Sequence, residues 1–152
     1  MKIEEIIKTS VDLPLSKKVI INLIYTEKWI QEQISSVLKP FDISIQQFNV
    51  LRILKGQKGK PANLSTIQNR MVSKMSNTTR LVDKLIQKEF VNRQVCPTNR
   101  RKVEITITQQ GLDFLDTVSP VMNDFENELT SALTSKELSQ LNTLLNKLRS
   151  EK

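Results

Sequence analysis

Apolar residues recur at three- and four-residue spacing along most of this chain, which predicts amphipathic helices. The first long helix is predicted to begin after Pro14 and to end at Leu38, because Pro40 disfavours a helical conformation in the residue before it. Ser44 opens a capping box, which predicts a second helix from the next residue onward. Gly56 is predicted to form the C-terminal cap of that helix.

Two shorter helical patterns follow at the spacing of a helix-turn-helix. Asn63 is predicted to cap the first of them. A turn at Val72 and Ser73 separates it from a helix over 74–88, with Ser73 as the predicted cap and Met75 in the apolar stripe. In such a pair, the second helix lies in the major groove of DNA and its N-terminal residues face the bases.

The next segment alternates between apolar and polar residues, as strands do. Residues 91–95 and 103–107 are predicted to pair as a two-stranded hairpin. The loop between them is rich in residues that favour turns and carries three consecutive cations, 100–102, at its tip. A basic hairpin of this kind can clamp the DNA backbone as a wing, because an arginine guanidinium donates two parallel hydrogen bonds to a phosphate or a guanine edge.

Two further helices complete the predicted fold, which is mainly α with a small β-hairpin. Thr108 is predicted to cap the first of them, with a kink at Pro120, and Thr134 opens a capping box for the second. The helices at the two ends of the chain have apolar faces that lie outside the DNA-reading module and need a surface to pack on. A second copy of the chain would supply that surface, which predicts a homodimer. The chain is therefore predicted to be a single domain, 1–152, with helical dimerisation regions at 14–38 and 110–150 and a winged helix-turn-helix at 44–108.

Positive charge is concentrated in the helix-turn-helix and the hairpin. Residues 64–104 contain nine Lys or Arg and three Asp or Glu, whereas the whole chain carries a net charge of +7. Such a concentration is expected of a surface that meets phosphate, so double-stranded DNA is the first predicted partner. The alternative is a winged-helix interaction module that binds a protein or structured RNA. The basic hairpin favours nucleic acid, and the run of Ser, Asn and Thr before Arg80 favours base reading.

The chain offers few residues for catalysis. It has no histidine, one cysteine, Cys96, and only three glycines. It therefore lacks the commonest general base, the commonest zinc ligand and any Gly-rich phosphate loop, so no enzymatic activity, no cofactor and no metal site is predicted. The acidic start and the lack of an apolar run long enough for a membrane helix predict a cytoplasmic protein with no membrane partner.

The chain resembles the MarR-type winged-helix transcriptional regulators in several motifs that follow one another along the sequence. The resemblance covers the chain from about Leu15 to its C-terminus and rests on Arg80-Leu81-Val82-Asp83-Lys84-Leu85, Phe90-Val91, Asn99-Arg100-Arg101-Lys102-Val103-Glu104-Ile105-Thr106-Ile107-Thr108 and Gly111. The longest run is similar to the family's wing signature, Asp-x-Arg-x-x-x-Val-x-Leu-Thr. By position, Arg101 matches the arginine that enters or flanks the minor groove. Asn99 replaces the aspartate and lacks the charge that would orient neighbouring arginines.

The resemblance implies a homodimer that binds an inverted-repeat operator, usually as a repressor that releases DNA on sensing a small molecule or an oxidant. The predicted base contacts are Ser76, Asn77, Thr79 and Arg80, and the predicted phosphate contacts are Lys74, Lys84, Arg100, Arg101 and Lys102. Asn99 joins this DNA-binding set through its place in the wing signature. The alternatives to DNA contact are that Lys84 only lies on a solvated helix face, and that Ser76, Asn77 and Thr79 are residues common at any helix start.

A small-molecule effector is the remaining predicted partner, and the sequence does not identify it. The aromatic residues Tyr25, Trp29, Phe41 and Phe48 could line an effector pocket between the dimerisation region and the DNA-reading region. For most of them, a place in the hydrophobic core is the preferred interpretation.

Overall fold

The computed structural model describes residues 1–150, which form seven α-helices, a short 3-10 helix and one two-stranded antiparallel sheet. The helices are α1 (Ile3–Ile6), α2 (Leu15–Leu38), α3 (Ile45–Gly56), α4 (Leu64–Arg70), α5 (Thr78–Gln87), α6 (Gln109–Leu129) and α7 (Ser135–Arg149). The 3-10 helix is Lys39–Phe41, and the strands are β1 (Val91–Cys96) and β2 (Asn99–Ile107). The predicted fold class, mainly α with a small β-hairpin, is confirmed. The single-domain division of 1–152 stays a prediction, and its last two residues lie outside the described part.

Four of the helices begin at the side-chain caps that the sequence predicts. The caps of α3, α4, α6 and α7 are the predicted residues Ser44, Asn63, Thr108 and Thr134. At α7 the Thr134 backbone N–H donates to Glu137 Oε2 at 2.8 Å, and this bond lowers the pKa of the Glu137 carboxyl. Helix α6 continues through Pro120 as one element. Local hydrogen bonds readable from the sequence therefore set these starts.

The end of α3 differs from the prediction. Gly56 is the last residue of the helix, and its C-cap is Gln57, which keeps a right-handed helical conformation. The left-handed residues come later, at Lys58 with φ of 52° and at Gly59 with φ of 84°. The prediction that Gly56 caps α3 is wrong, because the positive φ that favours glycine occurs two and three residues beyond it, at Lys58 and Gly59.

Helix α5 begins four residues later than predicted, at Thr78 rather than residue 74. Its cap is Asn77, whose Oδ1 accepts a hydrogen bond from Arg80 N at 3.1 Å, so the prediction that Ser73 caps this helix is wrong. Ser73 instead lies in the preceding turn, where its carbonyl accepts from Ser76 N at 3.2 Å. Met75 is 94% exposed and does not belong to the buried stripe. The turn of the helix-turn-helix thus spans 71–77.

The hairpin is longer than predicted and its turn is tighter. The pairing runs from Val91 opposite Ile107 to Val95 opposite Val103, and then moves directly to Cys96 opposite Asn99. Residues 100–102 therefore form an irregularity within β2 and have no counterpart on β1. The prediction that these cations occupy the loop tip is wrong, because only residues 97 and 98 connect the strands.

The hydrophobic core lies among α3, α4, α5, α6 and the hairpin. Its most enclosed side chains include Phe48, Leu51, Leu54, Ile67, Met71, Val82, Leu85, Val91, Ile105, Leu115 and Val118. Helix α2 contributes only Leu38 to the buried set, and α7 contributes none of its residues from 135 to 149. Large apolar side chains on both helices are exposed, among them Leu15, Val19, Ile20, Ile24, Leu141, Leu144 and Leu148. Among residues 1–150, every helix is too short or too polar to span a lipid bilayer.

The N-terminal helix α1, which the sequence did not predict, packs on α2. Ile3 is only 5% exposed, and Lys18 Nζ lies 2.8 Å from Glu4 Oε1. This hydrogen bond lowers the pKa of the Glu4 carboxyl and raises the pKa of the Lys18 ammonium. A four-residue helix of this kind owes its stability to tertiary contacts rather than to helix propensity.

Thr78 provides a test of packing at the first residue of α5. It is 5% exposed, and its hydroxyl is buried without a hydrogen-bond partner among the described residues. Because an unpaired buried hydroxyl is destabilising, we expect Thr78→Val to raise the free energy of unfolding by about 1 kcal/mol. Chemical denaturation measures this change. Thr78→Ser is the control, since it keeps the hydroxyl, loses the methyl group and is expected to lower stability. A valine variant less stable than the wild type would contradict the prediction.

Candidate nucleic-acid interface

Helix α5 presents one buried face and one polar face. Val82 and Leu85 are fully buried in the core, which fixes the rotation of the helix. The predicted contact residues Arg80 and Lys84 are consequently exposed on the opposite side, and Thr79 is exposed next to the buried face. Arg80 and Lys84 are four residues apart and so lie one above the other on the helix surface. Packing of α5 on the core therefore leaves Arg80 and Lys84 facing solvent.

An open groove of about 400 Å³ lies between the start of α3 and the start of α5. Its lining consists of Gln46, Gln47, Ser73, Met75, Ser76, Asn77, Arg80, Leu81 and Lys84. The structure thus brings together four of the predicted DNA-binding residues, Ser76, Asn77, Arg80 and Lys84. The other two predicted on this part of the chain, Lys74 and Thr79, are exposed but do not line the groove.

Two of these residues also hold the backbone of the turn. Asn77 uses its Oδ1 to cap α5, which leaves its amide N–H groups available as donors toward the groove. Lys74 Nζ donates to the carbonyl of Asn69, and the carbonyl of Lys74 accepts from Gln68 Nε2 at 3.2 Å. Both residues therefore have a structural role in addition to the predicted contact with DNA.

The irregular part of β2 exposes a cluster of cations. Arg100, Arg101 and Lys102 are all exposed, and none of them forms an ion pair within residues 1–150. Asn99 Oδ1 accepts a hydrogen bond from Arg101 N at 3.1 Å, which holds the backbone at the start of the irregularity. This neutral side chain orients the peptide of Arg101 without the charge of an aspartate. The cations are thus free to meet an external anion.

Ion pairing and hydrogen bonds fix the hairpin against the helices. Arg93 on β1 lies 2.8 Å from Asp83 Oδ1 on α5, so the one acidic side chain of that helix is neutralised. On the other strand, Ile105 exchanges two backbone hydrogen bonds with Ala62, at 2.9 and 2.7 Å, just before α4. Lys102 borders a small depression beside this segment together with Asn63. The wing therefore has a defined position relative to α4 and α5.

Five residues that line the groove were not among the predicted DNA contacts: Gln46, Gln47, Ser73, Met75 and Leu81. Gln46 and Gln47 belong to α3, and only the packing of α3 against α5 brings them to the helix-turn-helix. Gln47 is the second member of the capping box that Ser44 opens, but a capping signal carries no information about tertiary neighbours. Met75 was assigned to the core from its spacing, whereas the structure exposes it at the rim of the groove.

The four aromatic residues considered for an effector pocket differ in burial. Phe48 is a core residue at 1% exposure, although it also borders an open groove of about 460 Å³ between α3 and α6. Tyr25 and Trp29 are 42% and 40% exposed on α2, and Phe41 is half-buried. Phe48 is thus a core residue and Phe41 packs against the core, whereas Tyr25 and Trp29 are exposed, so the prediction that most of the four belong to the core is wrong. Within residues 1–150, no three His, Cys, Asp or Glu side chains gather in a group that could hold a metal ion.

Comparison with known proteins agrees with this geometry. The sequence profile of the MarR family matches residues 43–103. The transcriptional repressor MprA of Escherichia coli strain K12 is 29% identical over 119 residues, which cover 78% of this chain and 68% of MprA. The apo crystal structure of MarR from E. coli has a TM-score of 0.67 and 25% identity, over 93% of this chain and 100% of MarR. The organohalide-sensing regulator RdhR, bound to 2,4-dichlorophenol, has a TM-score of 0.82 and 19% identity, over 90% of this chain and 80% of RdhR.

Proposed function

Because this chain belongs to the MarR family of winged-helix transcriptional regulators, which bind DNA, we propose that it acts as a homodimeric repressor on an inverted-repeat operator. The observation that carries the proposal is the grouping of Ser76, Asn77, Arg80 and Lys84 around one open groove at the exposed start of α5. This is the part of a helix-turn-helix that faces the bases in the major groove.

The proposed roles follow from the chemistry of each side chain. In this assignment the base contacts are made by Ser76, Asn77, Thr79 and Arg80. Arg80 can donate to both acceptors on a guanine edge, and the amide of Asn77 can donate to an acceptor on a base. Phosphates are contacted by Lys74, Lys84, Arg100, Arg101 and Lys102, with Asn99 holding the wing backbone. A wing joined to α5 by the pair of Arg93 and Asp83 supports simultaneous contact with groove and backbone.

Repression and its release are proposed from the relatives. MprA is a transcriptional repressor, and the RdhR structure contains 2,4-dichlorophenol. By analogy, we infer that a small-molecule effector releases this chain from DNA. An effector of this kind must bind the DNA-free conformation more tightly than the DNA-bound one, because a ligand shifts an equilibrium only by its difference in affinity for the two states.

Arg80 gives the sharpest test of sequence-specific recognition. The operator is obtained first, by selecting the genomic fragments that the wild-type protein retains. Arg80→Ala is then expected to reduce the free energy of binding by about 1–3 kcal/mol on the selected operator, with a much smaller loss on unrelated duplex. Fluorescence anisotropy titrations measure both affinities. Arg52→Ala, which removes an arginine outside the groove, is the matched control. Equal losses on operator and unrelated DNA would contradict a base-reading role for Arg80.

Exposed leucines on α7 test the proposed homodimer. Leu144 and Leu148 are 62% and 57% exposed in the isolated chain, so replacing them does not disturb the protomer core. In a dimer that buries them, Leu144→Glu with Leu148→Glu would place two carboxylates of each chain in an apolar interface. We expect the double variant to be monomeric at micromolar concentration while the wild type is dimeric, as measured by light scattering. A double variant that remains dimeric would exclude this face from the interface.

A further inference from the structure

Met75 has an environment unlike that of two other methionines in the described chain. Met71 and Met122 are each 2% exposed and belong to the core, whereas Met75 is 94% exposed. Its side chain borders the groove formed with Asn77, Arg80 and Lys84. A large apolar side chain held in water at the rim of a basic groove has no packing role within the protomer.

The backbone around Met75 is nevertheless held in place. The carbonyl of Lys74, immediately before it, accepts from Gln68 Nε2 at 3.2 Å. Immediately after it, Ser76 N donates to the carbonyl of Ser73 at 3.2 Å, and Asn77 caps α5. The turn therefore presents Met75 from a fixed position at the entrance to α5. Such preorganisation lowers the entropy lost when a ligand covers the side chain.

We propose that Met75 packs against the 5-methyl group of a thymine in the major groove and gives the protein a preference for thymine at that operator position. This inference rests on the proposed function. The thymine methyl is the apolar group that base edges present in the major groove. Methionine suits such a contact because its unbranched thioether is flexible and polarisable.

The charge of the groove beside Met75 favours DNA over a second protein surface as its ligand. Arg80 and Lys84, which share the groove with Met75, form no ion pair within residues 1–150. A second copy of this chain docking through the same face would bring these cations against each other. DNA instead supplies phosphates that can pair with the cations and a thymine methyl group that can cover Met75. One ligand therefore complements both the charged and the apolar side chains of the groove.

The test removes the methyl group and nothing else. Each thymine of the selected operator is replaced in turn, at the same position of both half-sites, by deoxyuridine, which keeps every hydrogen-bonding group. For the wild type, we expect one position at which affinity falls about fourfold per half-site. Met75→Ala is expected to bind the thymine operator more weakly by the same factor and to be indifferent to deoxyuridine at that position. Met75 is 94% exposed, so Met75→Ala is expected to fold as the wild type does.

Val72 supplies the matched control. It is 92% exposed, as Met75 is, but it borders a different depression together with Arg52 and Arg70. Val72→Ala is expected to retain the full sensitivity to deoxyuridine. The inference is overturned if Met75→Ala keeps the same sensitivity as the wild type at every position. It is also overturned if Met75→Ala changes the particle mass in light scattering but not the discrimination of the methyl group.

The two proposals fail in different ways. If the wild type binds the operator no better than unrelated duplex, both the proposed function and this inference are rejected. If the wild type prefers its operator and Arg80→Ala loses that preference, but no deoxyuridine position depends on Met75, only the inference about Met75 is rejected.

Discussion

Replacing both Arg100 and Arg101 with alanine is expected to lower the affinity for every duplex, operator or not, by on the order of a thousandfold at ~0.15 M salt. Each protomer loses two exposed cations that have no ion-pair partner within residues 1–150, so the proposed dimer would lose four. Each phosphate-bound cation releases condensed counterions and contributes about 0.9 to the slope of log K against log salt. The slope should therefore become shallower by about 3.6.

Fluorescence anisotropy titrations over a series of salt concentrations measure this slope. Lys147→Ala with Arg149→Ala is the control, because it removes the same charge per chain from the last turn of α7, outside the proposed DNA interface. Since α7 also carries the proposed dimer face, light scattering must first show that this control has the same particle mass as the wild type. That control should leave the slope unchanged. If the two double variants behave alike, the effect comes from net charge and not from the wing. If the arginine variant keeps the wild-type slope, Arg100 and Arg101 do not contact phosphate.

Most helix starts could be predicted because their signals are local. A capping side chain bonds to a backbone N–H two or three residues away, so the few residues around Ser44, Asn63, Thr108 and Thr134 contain the whole interaction. The same reasoning failed at α5, where Ser73 and Asn77 both had the right chemistry. The hydrogen bond of Gln68 to the Lys74 carbonyl places a residue of α4 against the turn, and this contact is not visible in the local pattern.

The end of α5 shows a second limit of local reasoning. Glu89 follows the helix with φ of 63°, a conformation for which glycine is the usual choice. Phe90 N donates to the Leu85 carbonyl at 3.0 Å, and Thr108 Oγ1 donates to the Glu89 carbonyl at 2.7 Å. The second of these bonds joins residues nineteen positions apart. Tertiary contacts of this kind accompany the left-handed residue, and a sequence pattern cannot reveal them.

The candidate site was predictable to the extent that it is continuous in sequence. Ser76, Asn77 and Arg80 fall on one stretch of chain, and the structure places them at one groove. Gln46 reaches the same groove only through the packing of α3 on α5. The position of Arg100 relative to the turn depended on strand register, and a shift between Val95 and Cys96 moved it from the loop into β2. Whether these residues contact DNA stays a prediction.

Gly111 is expected to tolerate no side chain, because a Cβ there would collide with the carbonyl oxygen of Phe90 and would lie 2.8 Å from Ile107 Cγ1. The Phe90 oxygen cannot move freely, since it accepts a hydrogen bond from Thr108 N at 3.0 Å. Gly111 N itself donates to Thr108 Oγ1, also at 3.0 Å, within the cap of α6. The first turn of α6 is therefore packed directly against the chain that leaves α5 and enters β1.

Gly111→Ala is consequently expected to lower the free energy of unfolding by about 3 kcal/mol, because backbone must shift to make room. Gly56→Ala is the matched control. A Cβ at Gly56 has no other atom within 4 Å, and the residue is helical, so alanine there should raise stability by about 0.5–1 kcal/mol. Chemical denaturation followed by circular dichroism measures both variants. Phe90 precedes β1 and Ile107 ends β2, so any Gly111→Ala protein that remains folded should also carry a displaced wing and bind duplex more weakly. Wild-type stability in Gly111→Ala would show that α6 does not approach the hairpin this closely.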